Sequence, residues 1–186
     1  MQTETLKKLF TVLDYHRMAE TGILGPADRT ELIEGEILQM SPIGHRHSMS
    51  VSRGIHCFTE ALRGRVIVNP QNPLVLDDYS EPQPDIVLAR PRDDYYAGRR
   101  ISPEDTFLVL EVSDTTLRYD HNRKTPLYAK SGVPEVWIEN LQSDVIRVYR
   151  NPGPEAYSTS LTFRRGESLS MDAFPDDVFK VEELLG

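Results

Sequence analysis

The 186-residue sequence has a single cysteine, Cys57, which excludes an internal disulfide framework and any multi-cysteine zinc site. It has no apolar run of membrane-spanning length, and its opening stretch, MQTETLKKLFTVLDYHRMAE, lacks the continuous apolar segment of a signal peptide. The expectation is a cytoplasmic protein that does not engage the membrane. Basic residues are in deficit: 21 Lys and Arg against 29 Asp and Glu give a formal charge of −8. That balance argues against a surface coated for nucleic acid. There is no Walker loop, dinucleotide fingerprint, nucleophile elbow, zinc-ligand spacing, internal repeat or low-complexity stretch.

What is present is ordinary globular composition, 39% hydrophobic and 27% charged. The length suits one domain over residues 1–186, with a helical N-terminal segment at 5–20 and an acidic C-terminal segment at 167–186. The acid is concentrated in that last segment, where Glu167, Asp172, Asp176, Asp177, Glu182 and Glu183 face Lys180 alone. Between 118 and 130 the balance reverses, with Arg118, Arg123, Lys124 and Lys130 against Asp120.

Apolar spacing at Leu6, Leu9, Phe10 and Leu13 predicts the first helix, ended by Gly22, Gly25 and Pro26. ELIEGEILQM (31–40) reads as two short strands around Glu34-Gly35. A second helix is expected over 45–63, anchored by Met49, Ile55, Phe58 and Leu62 and stopped by Gly64. Short strands follow at 66–69, 73–76 and 85–89, then a polar loop at 90–105. FLVLEVSD (107–114) is a strong strand. Helical character returns at 115–131, with Thr115 or Thr116 as cap and Ser131-Gly132 before Pro134 as the stop. Strands are expected at 135–141, 144–150, 157–163 and 178–181, and a last half-turn at EELL. This order is that of an α/β domain with a mixed β-sheet flanked by helices.

Two carboxylates mark strand boundaries. Asp85 follows Pro84 at the start of an apolar strand, and Glu111 interrupts another. On neighbouring strands they can converge, and two carboxylates with waters are what a magnesium ion requires. The plain alternative is a turn residue or helix cap in each case. Asp120, Lys124 and Tyr128 are spaced i, i+4, i+8 and share one helix face. A lysine stem can carry its ammonium beside the carboxylates; otherwise Asp120–Lys124 is an ordinary surface pair.

Taken in order, PDIVLA, LVLEVSD, the Asp120–Lys124–Tyr128 helix, SGVPEVWI, ELIEGEILQMSP and GHRH resemble the Uma family, described as putative restriction endonucleases, of the PD-(D/E)xK nuclease superfamily. The resemblance runs from about residue 10 to 183. It implies a restriction-endonuclease-like core, a Mg²⁺ (or Mn²⁺) cofactor, DNA as substrate and a homodimer. It also implies that Asp85 and Glu111 ligate the metal and that Lys124 is catalytic. The superfamily's usual lysine position, two residues after the second acid, is Ser113 here. Glu31 matches an acidic position of the opening strand and would complete the metal shell, and Gln83 matches a polar residue before PD. His47 aligns with a histidine of the first helix; its other reading is a solvated ring at a helix N-terminus. His16, His45 and His121 have no partner pattern.

The segment RPRDDYYAGRR mixes Arg90, Arg92, Arg99 and Arg100 with Tyr95 and Tyr96, a composition suited to nucleic-acid contact or to a solvated loop. Trp137 and Tyr149 read as core or dimer contacts, and Cys57 as packing. The expected function is Mg²⁺-dependent hydrolysis of phosphodiester bonds in DNA. The alternative is a catalytically inactive nuclease-fold module for binding or assembly, motivated by the negative charge and Ser113. A third reading, the carboxylates as acid and base on a glycoside, has no use for Lys124.

Overall fold

The computed structural model describes residues 6–25, 27–114 and 119–186. Its centre is a six-stranded sheet in the order β3-β4-β5-β6-β7-β8. These are β3 (Ile67–Pro70), β4 (Ile86–Ala89), β5 (Thr106–Ser113), β6 (Glu135–Asn140), β7 (Val145–Pro152) and β8 (Tyr157–Arg164). Only β5 and β6 run parallel; every other neighbouring pair is antiparallel. The parallel step needs a crossover, and its described part contains α3 (Thr125–Lys130). Two hairpins stand outside this sheet: β1 (Thr30–Ile33) with β2 (Glu36–Gln39), and β9 (Ser168–Met171) with β10 (Phe174–Lys180).

Alternation along β4, β5 and β6 divides the core. Leu88, Leu110 and Trp137 pack with Phe58 of α2 (His45–Ala61), with Phe179 and with Leu184 of α4 (Val181–Leu185). On the other face, Val87, Val109 and Ile138 pack with Tyr128 of α3, Leu74 and Ile101. Trp137 is fully buried and Tyr149 nearly so, which makes both core residues.

Several sequence expectations need correction. The first helix, α1 (Val12–Glu20), begins seven residues later than expected, because Thr11 and Asp14 form a capping box that starts it there. Residues 6–11 instead run against the β1–β2 turn, where Phe10 N–H donates to the Gly35 carbonyl at 2.9 Å. A Cβ on Gly35 would lie 2.7 Å from Leu9 Cβ. Glycine there permits both that approach and a φ of +78°.

In α2 the buried face is Ser50, Val51, Gly54 and Phe58, while the expected anchor Met49 is 41% exposed. Gly54 lets the helix come close to the sheet, since a Cβ there would meet Ile86 Cδ1 at 2.9 Å. Residues 73–76 form no strand. Leu74 N–H donates to Pro82 and Leu76 N–H to Ser80, so this apolar run is held by the returning loop rather than by a neighbouring strand. At the C-terminal end β10 starts at Phe174, earlier than expected, and pairs with β9, which the sequence reading did not contain. The expected caps Thr115 and Thr116, and the stop at Pro26, lie outside the described residues.

Candidate active site

The pairing of β4 with β5 reaches Ile86–Leu110. One residue earlier, the Asp85 carboxylate takes over: its Oδ2 accepts the Val112 backbone N–H at 2.8 Å. This fixes Asp85 beside Glu111, toward the C-terminal end of β5. Glu111 thus lies near the carboxyl end of β5, a member of the sheet's parallel pair, where open α/β sheets usually bind ligands, and Asp85 reaches it from the start of antiparallel β4. His47, in the first turn of α2, contacts Asp85 Oδ2 through Nε2 at 3.1 Å. That contact raises the His47 pKa, against burial, which lowers it.

Glu111 is buried, and its Oε1 accepts from Tyr128 Oη at 2.6 Å and from Lys124 Nζ at 3.3 Å. Lys124 also lies 3.0 Å from Glu31 Oε2 on β1. Its ammonium therefore points inward, between two carboxylates, with its side chain 5% exposed. Glu31 is held in turn by Gln83 N–H at 3.2 Å and by Tyr119 Oη at 3.0 Å. Ser113 Oγ donates to Asp120 Oδ2 at 2.7 Å, so the hydroxyl two residues after Glu111 ties β5 to the turn that carries Lys124.

That turn departs from the expected geometry. Residues Asp120–Lys124 form a π-turn, widened by a residue relative to an α-helix, and α3 continues from it at Thr125. Insertions of this kind recur at functional sites. Asp120, Lys124 and Tyr128 are all buried on the sheet side. The solvent-exposed pair considered from spacing is thus replaced by an interior cluster.

Electrostatics follow from the burial. Desolvation pushes the Glu111 pKa up, Lys124 pulls it down, and Asp120 and Asp85 push it further up. For Lys124, burial opposes the charge, but Glu111 and Glu31 outweigh it and the ammonium is held above its ordinary range. The lysine stays charged, and its ammonium only partly offsets the burial that raises the Glu111 pKa.

These groups line a cleft of about 600 Å³, walled also by Arg29, residues 38–44, Asp114 and Tyr119. A larger groove, about 820 Å³, lies between α2 and the C-terminal segment. Its acids, Glu60 and Glu183, are more than half exposed, whereas the smaller cleft gathers the buried charges. No group of three or more metal-ligating His, Cys, Asp or Glu is formed among the described residues. The donor set nonetheless fits a magnesium ion. Asp85 Oδ1 and Glu111 Oε2 accept no hydrogen bond among the described residues, and both side chains line the cleft. A hard ion that keeps most of its waters asks for one or two such oxygens.

The arginine loop is placed elsewhere. Arg92 pairs with Asp94 at 2.8 Å, Arg99 with Asp105 at 2.6 Å and Arg100 with Glu81 at 3.1 Å. Arg90 lies over the Phe107 ring, and Tyr95 is 76% exposed. None of the five lines the cleft. His47 is not a solvated ring, with its side chain 17% exposed and bonded to Asp85. His16, without a partner pattern in the sequence, contacts Glu81 at 2.6 Å.

The sequence reading missed Arg29, Asp114, Tyr119 and Glu139. Glu139, on β6, is fully buried; Ser50 Oγ donates to its Oε2, and its Oε1 has no partner among the described residues. A carboxylate inside the apolar run EVWIEN was the available signal for it.

The family model described as "Uma2: Putative restriction endonuclease" matches residues 12–182. A crystal structure of a putative nuclease belonging to DUF820 from Anabaena variabilis ATCC 29413 superimposes with a TM-score of 0.71. The two are 16% identical over 95% of this chain and 97% of that one, which establishes a shared fold. No curated protein matches.

Proposed function

The chain belongs to the Uma2 family, and from that premise we propose that it is a Mg²⁺-dependent nuclease hydrolysing phosphodiester bonds in DNA at the Asp85–Glu111–Lys124 cluster. One observation carries the reading: two carboxylates, one just before β4 and one on β5, each leave one oxygen without a partner among the described residues, in one cleft, beside a buried charged lysine. A surface turn or cap would have no reason to bury these groups together.

Asp85 and Glu111 would hold the ion, with Glu31 within reach of the same lysine. When bound, magnesium supplies neutralisation of phosphate charge and a more acidic water. The protein supplies the rest. Backbone Val112 and His47 fix the Asp85 carboxylate, and Tyr128 fixes that of Glu111. Lys124, locked between Glu31 and Glu111, presents a fixed positive charge to an attacking water and to the negative charge that develops on phosphate oxygens. A homodimer offering two such clefts to a duplex belongs to the same proposal.

The second reading, an inactive nuclease-fold module, rests on Ser113 at the usual lysine position and on Lys124 being engaged by two carboxylates. Incubation with plasmid, single-stranded DNA and RNA under Mg²⁺ or Mn²⁺ separates the two. Cleavage of DNA that disappears in Asp85→Ala, Glu111→Ala and Lys124→Ala supports the nuclease. No cleavage of any substrate, together with calorimetric titration showing no Mg²⁺ or Mn²⁺ binding that depends on Asp85, supports the module.

A further inference from the structure

The two edges of the central sheet are unlike. Edge strand β3 has four residues, ends at Pro70 and packs against α2, so it is short, interrupted and covered. Natural sheets protect their edges in these ways, because unpaired N–H and C=O groups invite another strand. The opposite edge, β8, has eight residues. From Tyr157 to Phe163 it reads YSTSLTF, with no charge, proline or glycine. Its hydroxyl and β-branched residues favour extended pairing. Outside the ladder with β7, no backbone group of residues 157–163 has a partner among the described residues. Ser158, Ser160 and Thr162 are exposed, and Leu161 is 40% exposed.

We propose that β8 is the subunit interface: β8 of a second copy of this chain pairs with it antiparallel about a two-fold axis through Ser160. This gives the homodimer of the proposed function its contact surface, and it joins two six-stranded sheets into one.

Symmetry restricts the register, and charge pairing picks Ser160 within it. Directly opposite residues of an antiparallel pair share a sheet face, so a two-fold axis must pass through one residue and its own copy. Centred on Ser160, Ser158 of one copy faces Thr162 of the other. Glu155 comes opposite Arg165 of the partner strand, a half-exposed arginine at 3.4 Å from Asp144, and beside Arg164. Glu155 and Arg164 are exposed and have no ion pair among the described residues. Each end of the joined strands therefore brings an acid to a base. The uncharged centre brings two copies of a chain of charge −8 together where like charges are absent.

The test uses the full chain and reads assembly apart from cleavage. Sedimentation velocity at micromolar concentration is expected to give a dimer for the wild type and a monomer for Ser160→Lys/Thr162→Lys, which lines lysines against lysines across the axis. In a Cys57→Ala background, Ser160→Cys is expected to form an intermolecular disulfide on mild oxidation, since opposite Cβ atoms lie within reach of that bond. Thr162→Cys alone, facing Ser158, is expected not to. Circular dichroism checks that the variants remain folded at these exposed sites. A monomeric wild type overturns the proposal, and so does a dimer indifferent to the lysines and to the Ser160→Cys cross-link. Loss of cleavage in Asp85→Ala with the dimer intact bears on the site alone, and a dimer without nuclease activity leaves this interface standing.

Discussion

Glu111 and Glu135 are both buried carboxylates, on the adjacent parallel strands β5 and β6, and they are finished in opposite ways. Glu135 Oε1 accepts from Trp137 Nε1 at 2.6 Å and from Arg150 at 2.9 Å, and its Oε2 accepts the Asp172 N–H at 2.8 Å. Every oxygen is used within the protein, and the group ties β6, β7 and the β9–β10 hairpin together. Glu111 uses one oxygen and leaves the other toward a cleft it shares with Asp85. Burial alone does not mark a functional carboxylate. The oxygen left over does, because the cost of desolvating it is not recovered inside the chain.

The largest expected effect tests that contrast at its open end. Glu111→Gln and Asp85→Ala are expected to lower DNA cleavage by about 10³-fold, the scale of losing a principal source of transition-state charge stabilisation. Glu111→Gln is expected to keep the melting temperature or raise it, since burial already disfavours its charged form. A cleavage rate within a few-fold of wild type would remove Glu111 from the site.

The closed end should respond in reverse. Glu135→Ala leaves the buried Trp137 indole N–H and the Asp172 N–H without their acceptor and takes one of three partners from Arg150, which keeps Asp172 and the Ser170 carbonyl, and is expected to cost about 1–3 kcal/mol. Urea unfolding measures this, and cleavage per folded molecule is expected to stay unchanged. If Glu135→Ala instead abolished cleavage without loss of stability, the contrast between the two carboxylates would fail.

Glu139 lies between these cases, buried with one oxygen bonded to Ser50 and the other unpartnered. Desolvation raises its pKa to about 7, against the Ser50 hydrogen bond, which lowers it. The folded chain therefore holds this proton more tightly than the unfolded chain. Its contribution to stability is present at low pH and is lost as pH rises from about 4.5 through 7. Glu139→Gln, which stays neutral, is expected to be near wild type in stability at the acid end of that window. Above it the variant gains roughly 3 kcal/mol over wild type. Equal unfolding curves at both ends of that range would mean that the carboxyl is already relieved by a cation or water.

The sheet was largely legible from the sequence because β-branched runs such as FLVLEVSD and EVWIEN state their own conformation. The capping box at Thr11 was legible in principle but was overruled by the apolar spacing of Leu6, Leu9 and Leu13. The run PLVL shows the limit: its composition is that of a strand, yet its N–H groups are taken by the returning loop at Ser80 and Pro82 and by Ile101. For the site, Asp85 and Glu111 stood out as acids against apolar strands. The inward direction of Lys124 depends on a π-turn that no spacing rule encodes. Arg29 and Tyr119 reach the cleft from segments far apart in sequence, so only the fold brings them together.

The smallest effect concerns what holds the open carboxylate open. His47 and the Val112 N–H share Asp85 Oδ2, which leaves Oδ1 without a donor among the described residues. The Glu135 cluster has no such asymmetry, since donors meet both of its oxygens. His47→Ala leaves one donor in place, so Asp85 keeps its position but gains rotational freedom. The expected loss is about 10–100-fold in metal affinity or cleavage, the usual scale for a partner that orients a ligand. Mn²⁺ titration calorimetry measures the affinity directly, and His47→Asn, which offers an N–H of shorter reach, is expected to recover part of it. An unchanged Mn²⁺ affinity in His47→Ala would mean that the backbone donor alone sets the carboxylate. The difference between Glu111 and Glu135 would then rest on the cleft itself rather than on the groups that orient Asp85.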